Sequence, residues 1–179
     1  MEQHIKEELA RSVAALRLPR YEEIPDVGLF LDQTAKYVSQ FLDPLLEQAL
    51  TGSMISNYVK KDLIDNPVKK QYNREQIACL FFIAVAKSVL SLEEISWVIR
   101  LQKLSYPPQR AYEYFCRELQ NVLFYVFGLK NQLDTVGEDN TEEKVILQNT
   151  IIAVAHKVYL NKCLAAMQKI DRERKIEET

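Results

Sequence analysis

Apolar residues recur along this chain at helical rather than strand spacing. Within residues 2–18, Ile5, Leu9, Val13 and Leu16 follow at intervals of four, four and three, and Pro19 ends the segment. Residues 19–27 read as a polar connection containing Pro25. Residues 29–46 form the next helical stretch, with Tyr37, Phe41, Leu45 and Leu46 as its apolar face and Pro44 placed to break or kink it. Leu50-Thr51-Gly52 signals a turn, and Thr51 can cap a short helix over 53–61 in which Met54, Ile55 and Tyr58 share a face. Residues 64–71 are too short and too proline-marked for another helix. They predict a tight loop or small hairpin around Asn66-Pro67.

Stronger helical signals follow. Asn73 with Gln76 makes a capping box ahead of a helix whose inner face runs Ile77, Leu80, Phe81, Ala84, Val85 and Ser88. Cys79, Phe82, Ile83 and Ala86 make its remaining surface nearly as apolar, so this helix belongs at the centre. Ser91 and Glu94 form a second capping box, opening a helix with Leu92, Ile95, Val98 and Ile99 inward. Tyr106-Pro107-Pro108 marks the clearest boundary. Beyond it, residues 110–127 carry a stripe of Tyr112, Phe115, Cys116, Leu119, Val122, Leu123 and Val126, closed by Gly128. A polar loop over 131–140 leads to a last helix, 141–172, which spans ~48 Å if continuous.

Composition narrows the class. The chain is 47% hydrophobic and 27% charged with four glycines, which excludes disordered, collagen-like and linker-rich proteins. The charged start lacks an apolar signal core, and the longest uncharged apolar run, 76–86, is too short to span a bilayer, so a cytoplasmic protein is expected. Cys79, Cys116 and Cys163 are widely spaced within apolar patterns and read as buried, reduced thiols. His4 and His156 are the only histidines. His156 is read as structural, Trp97 as a packing residue, and neither a metal site nor a cofactor site is expected. No nucleophile-base pair can be named, so an enzyme is not expected.

The net charge of −2 hides an uneven distribution. Between Ser53 and Arg74 the chain carries Lys60, Lys61, Lys69, Lys70 and Arg74 against Asp62 and Asp65. Such a stretch is either an ordinary solvated face or the footprint of a nucleic-acid contact. Helix, turn, short helix, basic loop and two capped helices, in that order, fit a winged helix-turn-helix.

Residues 51–64, TGSMISNYVKKDLI, resemble the second-helix segment of MerR-family regulators, and residues 70–99 resemble the segment after the MerR wing. Tyr58, Leu63, Tyr72, Ile77, Leu80, Ile83 and the run from Leu90 to Ile95 carry that similarity. The chain resembles still more closely, over most of its length, a bacterial family of uncharacterised proteins known only as a domain of unknown function. Its pattern reads approximately Thr-x-x-Met-Ile-x-Asn-Tyr-Val-Lys followed by Pro-x-Lys-Lys-x-Tyr. The sequence departs from MerR proteins where Asp62 replaces the glycine after the second helix, where the wing lacks arginine, and where the first helix carries Pro44.

The resemblance implies an all-α protein: a helical arm (1–26), a MerR-like winged helix-turn-helix (27–104) and a helical carboxy-terminal region (105–179) with a long last helix. It places Ser53, Ser56, Asn57, Lys60 and Lys61 on a recognition helix of about 53–61. Lys69 and Lys70 fall in a short wing of about 65–71, with Tyr58 and Tyr72 either bordering the DNA backbone or serving as core aromatics. Asparagine can read adenine, and lysines and hydroxyls satisfy phosphates. The expected function is transcription regulation on double-stranded DNA by a homodimer, with Ile151, Val154, Val158 and Ala165 of the last helix supplying the dimer contact. The aromatic run from Tyr106 to Tyr125 leaves room for a small-molecule effector. The alternative is a helical protein-interaction adaptor that keeps this shape without binding DNA.

Overall fold

Polar caps set the frame of the structure, a computed structural model that describes residues 3–137 and 141–177. Thr51 accepts the Met54 N–H at 3.3 Å and opens one helix. Asn73 and Gln76 exchange side-chain and backbone bonds at 2.9 Å each and open the next. Ser91 and Glu94 repeat the arrangement at 2.7 and 3.2 Å. Each cap satisfies N–H groups that a helix start leaves without partners.

The described chain runs α1 (Gln3–Ala14), a 3-10 turn (Tyr21–Glu23), β1 (Leu29–Phe30), α2 (Leu31–Leu42), α3 (Gly52–Lys60), β2 (Gln71–Tyr72), α4 (Arg74–Ala86), α5 (Leu92–Ser105), α6 (Pro108–Val126) and α7 (Glu142–Glu177). It is thus largely helical, with one small antiparallel sheet pairing Leu29 with Tyr72 and Phe30 with Gln71. That strand pair was not foreseen. Two residues are too few to show period-two alternation, and Leu29 reads as the first turn of the helix that follows it.

The centre is α4, as its all-round apolarity requires. Ile77, Leu80, Phe81, Ile83 and Ala84 are buried, and the helix packs against α2, α6 and α7. Phe81 meets the rings of Tyr37, Phe41 and Tyr112 at centroid distances of 6.3, 6.0 and 5.8 Å. The predicted face of α2 needs correction: Ala35, Val38 and Leu42 are buried around Thr34, while Tyr37 and Phe41 lie half-buried at its margin. Large aromatic rings outweighed small residues in the pattern, yet the small Thr34 and Ala35 are the ones buried.

Residues 3–24 pack onto the body. Ile5, Leu9, Val13 and Leu16 are buried, with α1 against α6 and α7. The connection after it is less polar than expected, since Tyr21 and Ile24 are buried and the Tyr112 hydroxyl donates to the Pro19 carbonyl at 2.9 Å. The end of α6 is a Schellman motif: Gly128, at φ +73°, lets Leu129 N–H reach the Phe124 carbonyl at 2.8 Å. After the loop, α7 extends for 36 residues, about 54 Å. Among the described residues no helix is long and apolar enough to cross a membrane.

Candidate nucleic-acid interface

The exposed face of α3 begins with a close helix contact. A Cβ at Gly52 would stand 3.1 Å from both Leu31 Cγ and Asp32 Oδ1, so glycine lets the start of α3 rest on the start of α2. Ser39 ties down the preceding loop, its hydroxyl accepting Leu50 N–H at 3.0 Å and donating to the Leu50 carbonyl at 3.3 Å. Ile55 and Tyr58 then point into the core. Ser53, Asn57 and Lys60 share the opposite stripe and are exposed, with Ser56 half-buried beside them. That polar face carries hydroxyls, a carboxamide and an ammonium.

The helix stops at Asp62, which takes the left-handed conformation at φ 55°. Asp62 N–H bonds the Val59 carbonyl and Leu63 N–H the Tyr58 carbonyl, each at 3.0 Å, and Leu63 is buried behind them. This is again a Schellman ending, here with aspartate where glycine is usual.

Beyond it comes a hairpin. Val68 and Gln71 exchange backbone bonds, Val68 N–H to the Gln71 carbonyl at 3.1 Å and Gln71 N–H to the Val68 carbonyl at 2.9 Å. Between them sit Lys69 at φ 50° and Lys70 at φ 66°, the paired positive angles of a type I′ turn. Both lysines are exposed. The turn lies at Lys69-Lys70 and not, as the sequence suggested, around Asn66-Pro67. Asparagine and proline are ordinary turn residues, whereas lysine carries no turn signal, so the pattern pointed to the wrong pair.

Hairpin and helix share an anchor. Gln71-Tyr72 pairs with Leu29-Phe30, and those residues run directly into α2, whose first residues touch Gly52. The base of the hairpin and the start of α3 are therefore both fixed at the amino-terminal end of α2.

The expected site residues divide accordingly. Ser53, Asn57, Lys60, Lys69 and Lys70 are exposed, and Ser56 partly so. Lys61 is exposed but pairs with Glu93 of α5 at 3.2 Å. Tyr58 and Tyr72 are buried, and burial raises both hydroxyl pKa values. Arg74, counted in the basic stretch, instead holds the amino-terminal connection. Its guanidinium donates to the Ile24 carbonyl at 2.8 Å and lies 5.7 Å from the Tyr21 ring centroid. Trp97, expected to pack, is 52% exposed, and His156 lies exposed on α7. The three cysteines are free thiols; Cys163 is buried as expected, whereas Cys79 and Cys116 are only partly so, and burial of their thiols pushes both up to about 12, far from a reactive thiolate. Among the described residues no His, Cys, Asp and Glu cluster could hold a metal ion.

No curated protein and no solved structure matches this chain. A family model does match residues 19–115, from the connection after α1 to the first half of α6, and includes every element just described around the hairpin. With more than half of its length covered, the chain belongs to the family described as a domain of unknown function, DUF1836.

Proposed function

We propose that residues 27–104 act as a MerR-like winged helix-turn-helix, and that the protein is a sequence-specific regulator binding double-stranded DNA as a homodimer. In this reading α2 and α3 are the helix pair, α3 enters the major groove, and the hairpin is the wing. The observation that carries it is the hairpin tip. Left-handed backbone costs a lysine roughly 1–2 kcal/mol, so two adjacent lysines there oppose folding stability. Asparagine and glycine would fit the turn at little strain. Two ammonium groups at the tip gain from phosphate contact what the turn loses.

Ser53, Asn57 and Lys60 supply the groove-facing stripe, with Ser56 at its edge. Lys61 has a competing partner in Glu93, but an exposed pair of this kind is screened by solvent and yields readily to a phosphate. Tyr58 and Tyr72 position the elements from the core. The function is one of binding and not of catalysis.

The dimer requires a different surface from the one expected. Ile151, Val154 and Val158 are buried within the chain itself, which leaves only Ala165 of that set exposed. Ile152, Leu160, Leu164 and Met167, with His156 among them, form the outward stripe of α7, at 36–58% exposure for the four apolar residues. A second copy is the occupant that two-fold DNA recognition calls for.

Selection of binding sites from random duplexes, followed by titration across salt, tests the proposal. A recovered motif and affinity falling linearly with log salt are expected. The rival adaptor reading draws on Trp97 and Leu104, 52% and 86% exposed on α5. Failure to select any motif, with no salt-dependent binding, would favour it.

A further inference from the structure

A cavity of about 600 Å³ opens behind the hairpin, between the segment leading into it and helices α4, α5, α6 and α7. Its apolar wall includes Phe82, Val98, Phe115 and Leu147, and the rings of Phe82 and Phe115 meet edge to face at 5.8 Å. This volume lies within the range that buries a drug-sized molecule. Protein interiors are otherwise packed to crystal density, and water gains little along the aliphatic and aromatic part of this wall. Phe82, Val98 and Leu147 are only half-buried although they lie between helices, so apolar surface is left uncovered there.

The charges around the wall are not symmetrical. Asp65 faces Lys103 at 4.0 Å, and Glu143 accepts the Ser105 hydroxyl. Glu75 also lines the space, and the Lys144 ammonium is already engaged, donating to the Gly137 carbonyl at 2.9 Å. Arg110 and Arg117, seven residues apart on one side of α6, are exposed lining residues, Arg110 with its guanidinium 5.2 Å from the Tyr106 ring centroid. The two arginines leave a place for an anionic head group beside the apolar wall.

The same wall holds the hairpin. The Gln76 side chain caps α4 and at the same time donates to the Asp65 carbonyl at 2.8 Å. Leu63, Ile64, Asp65, Asn66 and Val68 form the hairpin side of the cavity.

We propose that this cavity binds a flat apolar organic anion, an aromatic carboxylate or sulfonate, and that its occupancy steadies the hairpin. The ligand site stands without the DNA-binding reading; only its regulatory meaning rests on that reading.

The test uses the full chain without DNA, titrated with anilinonaphthalene sulfonate and with uncharged N-phenylnaphthylamine. One saturable site per chain, with tighter binding of the sulfonate, is expected. Arg117→Met should weaken the sulfonate about tenfold, the loss of one charge-assisted contact, and leave the neutral probe within about twofold. Ala111→Trp, which fills the space from α6, should abolish binding of both, and a thermal melt reports whether it remains folded. If it does not, the Arg117→Met comparison decides. Hydrogen exchange at the Val68 and Gln71 amides should slow when the sulfonate is bound. Unsaturable binding, or unchanged binding by folded Ala111→Trp, overturns the site. Equal loss of both probes in Arg117→Met overturns its anion preference, and unchanged exchange overturns the link to the hairpin. None of these results depends on whether the protein selects a DNA motif.

Discussion

Lys69 and Lys70 place charge and backbone preference in opposition, and the two can be separated by substitution. Replacing both with alanine should weaken DNA binding across all sequences and flatten the salt slope by about two contacts' worth, as measured by titration at several salt concentrations. Lys69→Asn with Lys70→Gly should do the same to binding while raising unfolding free energy by about 1–2 kcal/mol, because the new pair suits the left-handed turn. A double variant that is more stable yet binds as before would remove the reason for the lysines. Glu118 presents a second conflict. It is buried between α6 and α7, where Gln148 donates to one carboxylate oxygen at 3.3 Å, and the other has no hydrogen-bond partner among the described residues. Burial raises its pKa, with Gln148, Asn121, Lys144 and Lys130 only partly offsetting that effect. A carboxyl group raised in the folded state binds its proton more tightly there than in the unfolded chain. Its contribution to stability is therefore present below the unfolded pKa and is lost as pH rises through the folded one. Glu118→Gln should gain about 1–3 kcal/mol over wild type at neutral pH. The advantage should shrink towards pH 4 in denaturant titrations, and an advantage that grew in acid would contradict this account.

Elements defined by short-range chemistry were legible in the sequence; those defined by distant neighbours were not. Thr51, Asn73 and Ser91 cap their helices as their spacing implies, because a cap needs only partners two or three residues away. The break at Tyr106-Pro107-Pro108 and the stop at Gly128 were equally local. By contrast, β1 exists because Gln71-Tyr72 returns to pair with it, and the buried side of α2 is chosen by α4. Of the candidate site, the face of α3 could be read from periodicity, whereas the position of the hairpin turn could not. On that face Asn57 is exposed midway between Ser53 and Lys60. Asn57→Ala removes a side chain that disfavours helix slightly, so the melting temperature should hold or rise. Specific DNA affinity should fall by ~1–3 kcal/mol, with preference relaxed at one base position and non-specific binding nearly unchanged. A selected-site experiment on the variant returning the wild-type motif at full strength would exclude Asn57 from base reading.

Assembly depends on which side of α7 is already occupied. The buried side, with Ile151, Val154 and Val158, is covered by the chain itself, since α7 packs against α1, α4, α5 and α6. The sequence shows apolar residues around most of the helix but not which of them the other helices reach, so three of the four residues expected at a dimer contact lie inside the chain. Leu160, Leu164 and Met167 remain 56%, 48% and 58% exposed at spacings of four and three, the geometry of a seam between two helices. On the proposed DNA-binding reading, one winged module would contact too little DNA for tight specific binding, so two-fold pairing would be favoured. Sedimentation at micromolar concentration should therefore show a dimer, and the melting temperature should rise with protein concentration. Leu160→Glu with Leu164→Glu should give a monomer whose concentration dependence is gone. Its intrinsic stability should change little, by about 0.5 kcal/mol, because both side chains already face solvent over about half their surface. Ile151→Ala, on the buried side, should do the reverse. It should cost about 2–5 kcal/mol of folding stability through the cavity it leaves, while the folded fraction still dimerises. Wild-type protein sedimenting as a monomer would sink the dimer. A charged double variant that still dimerised would move the contact away from this stripe.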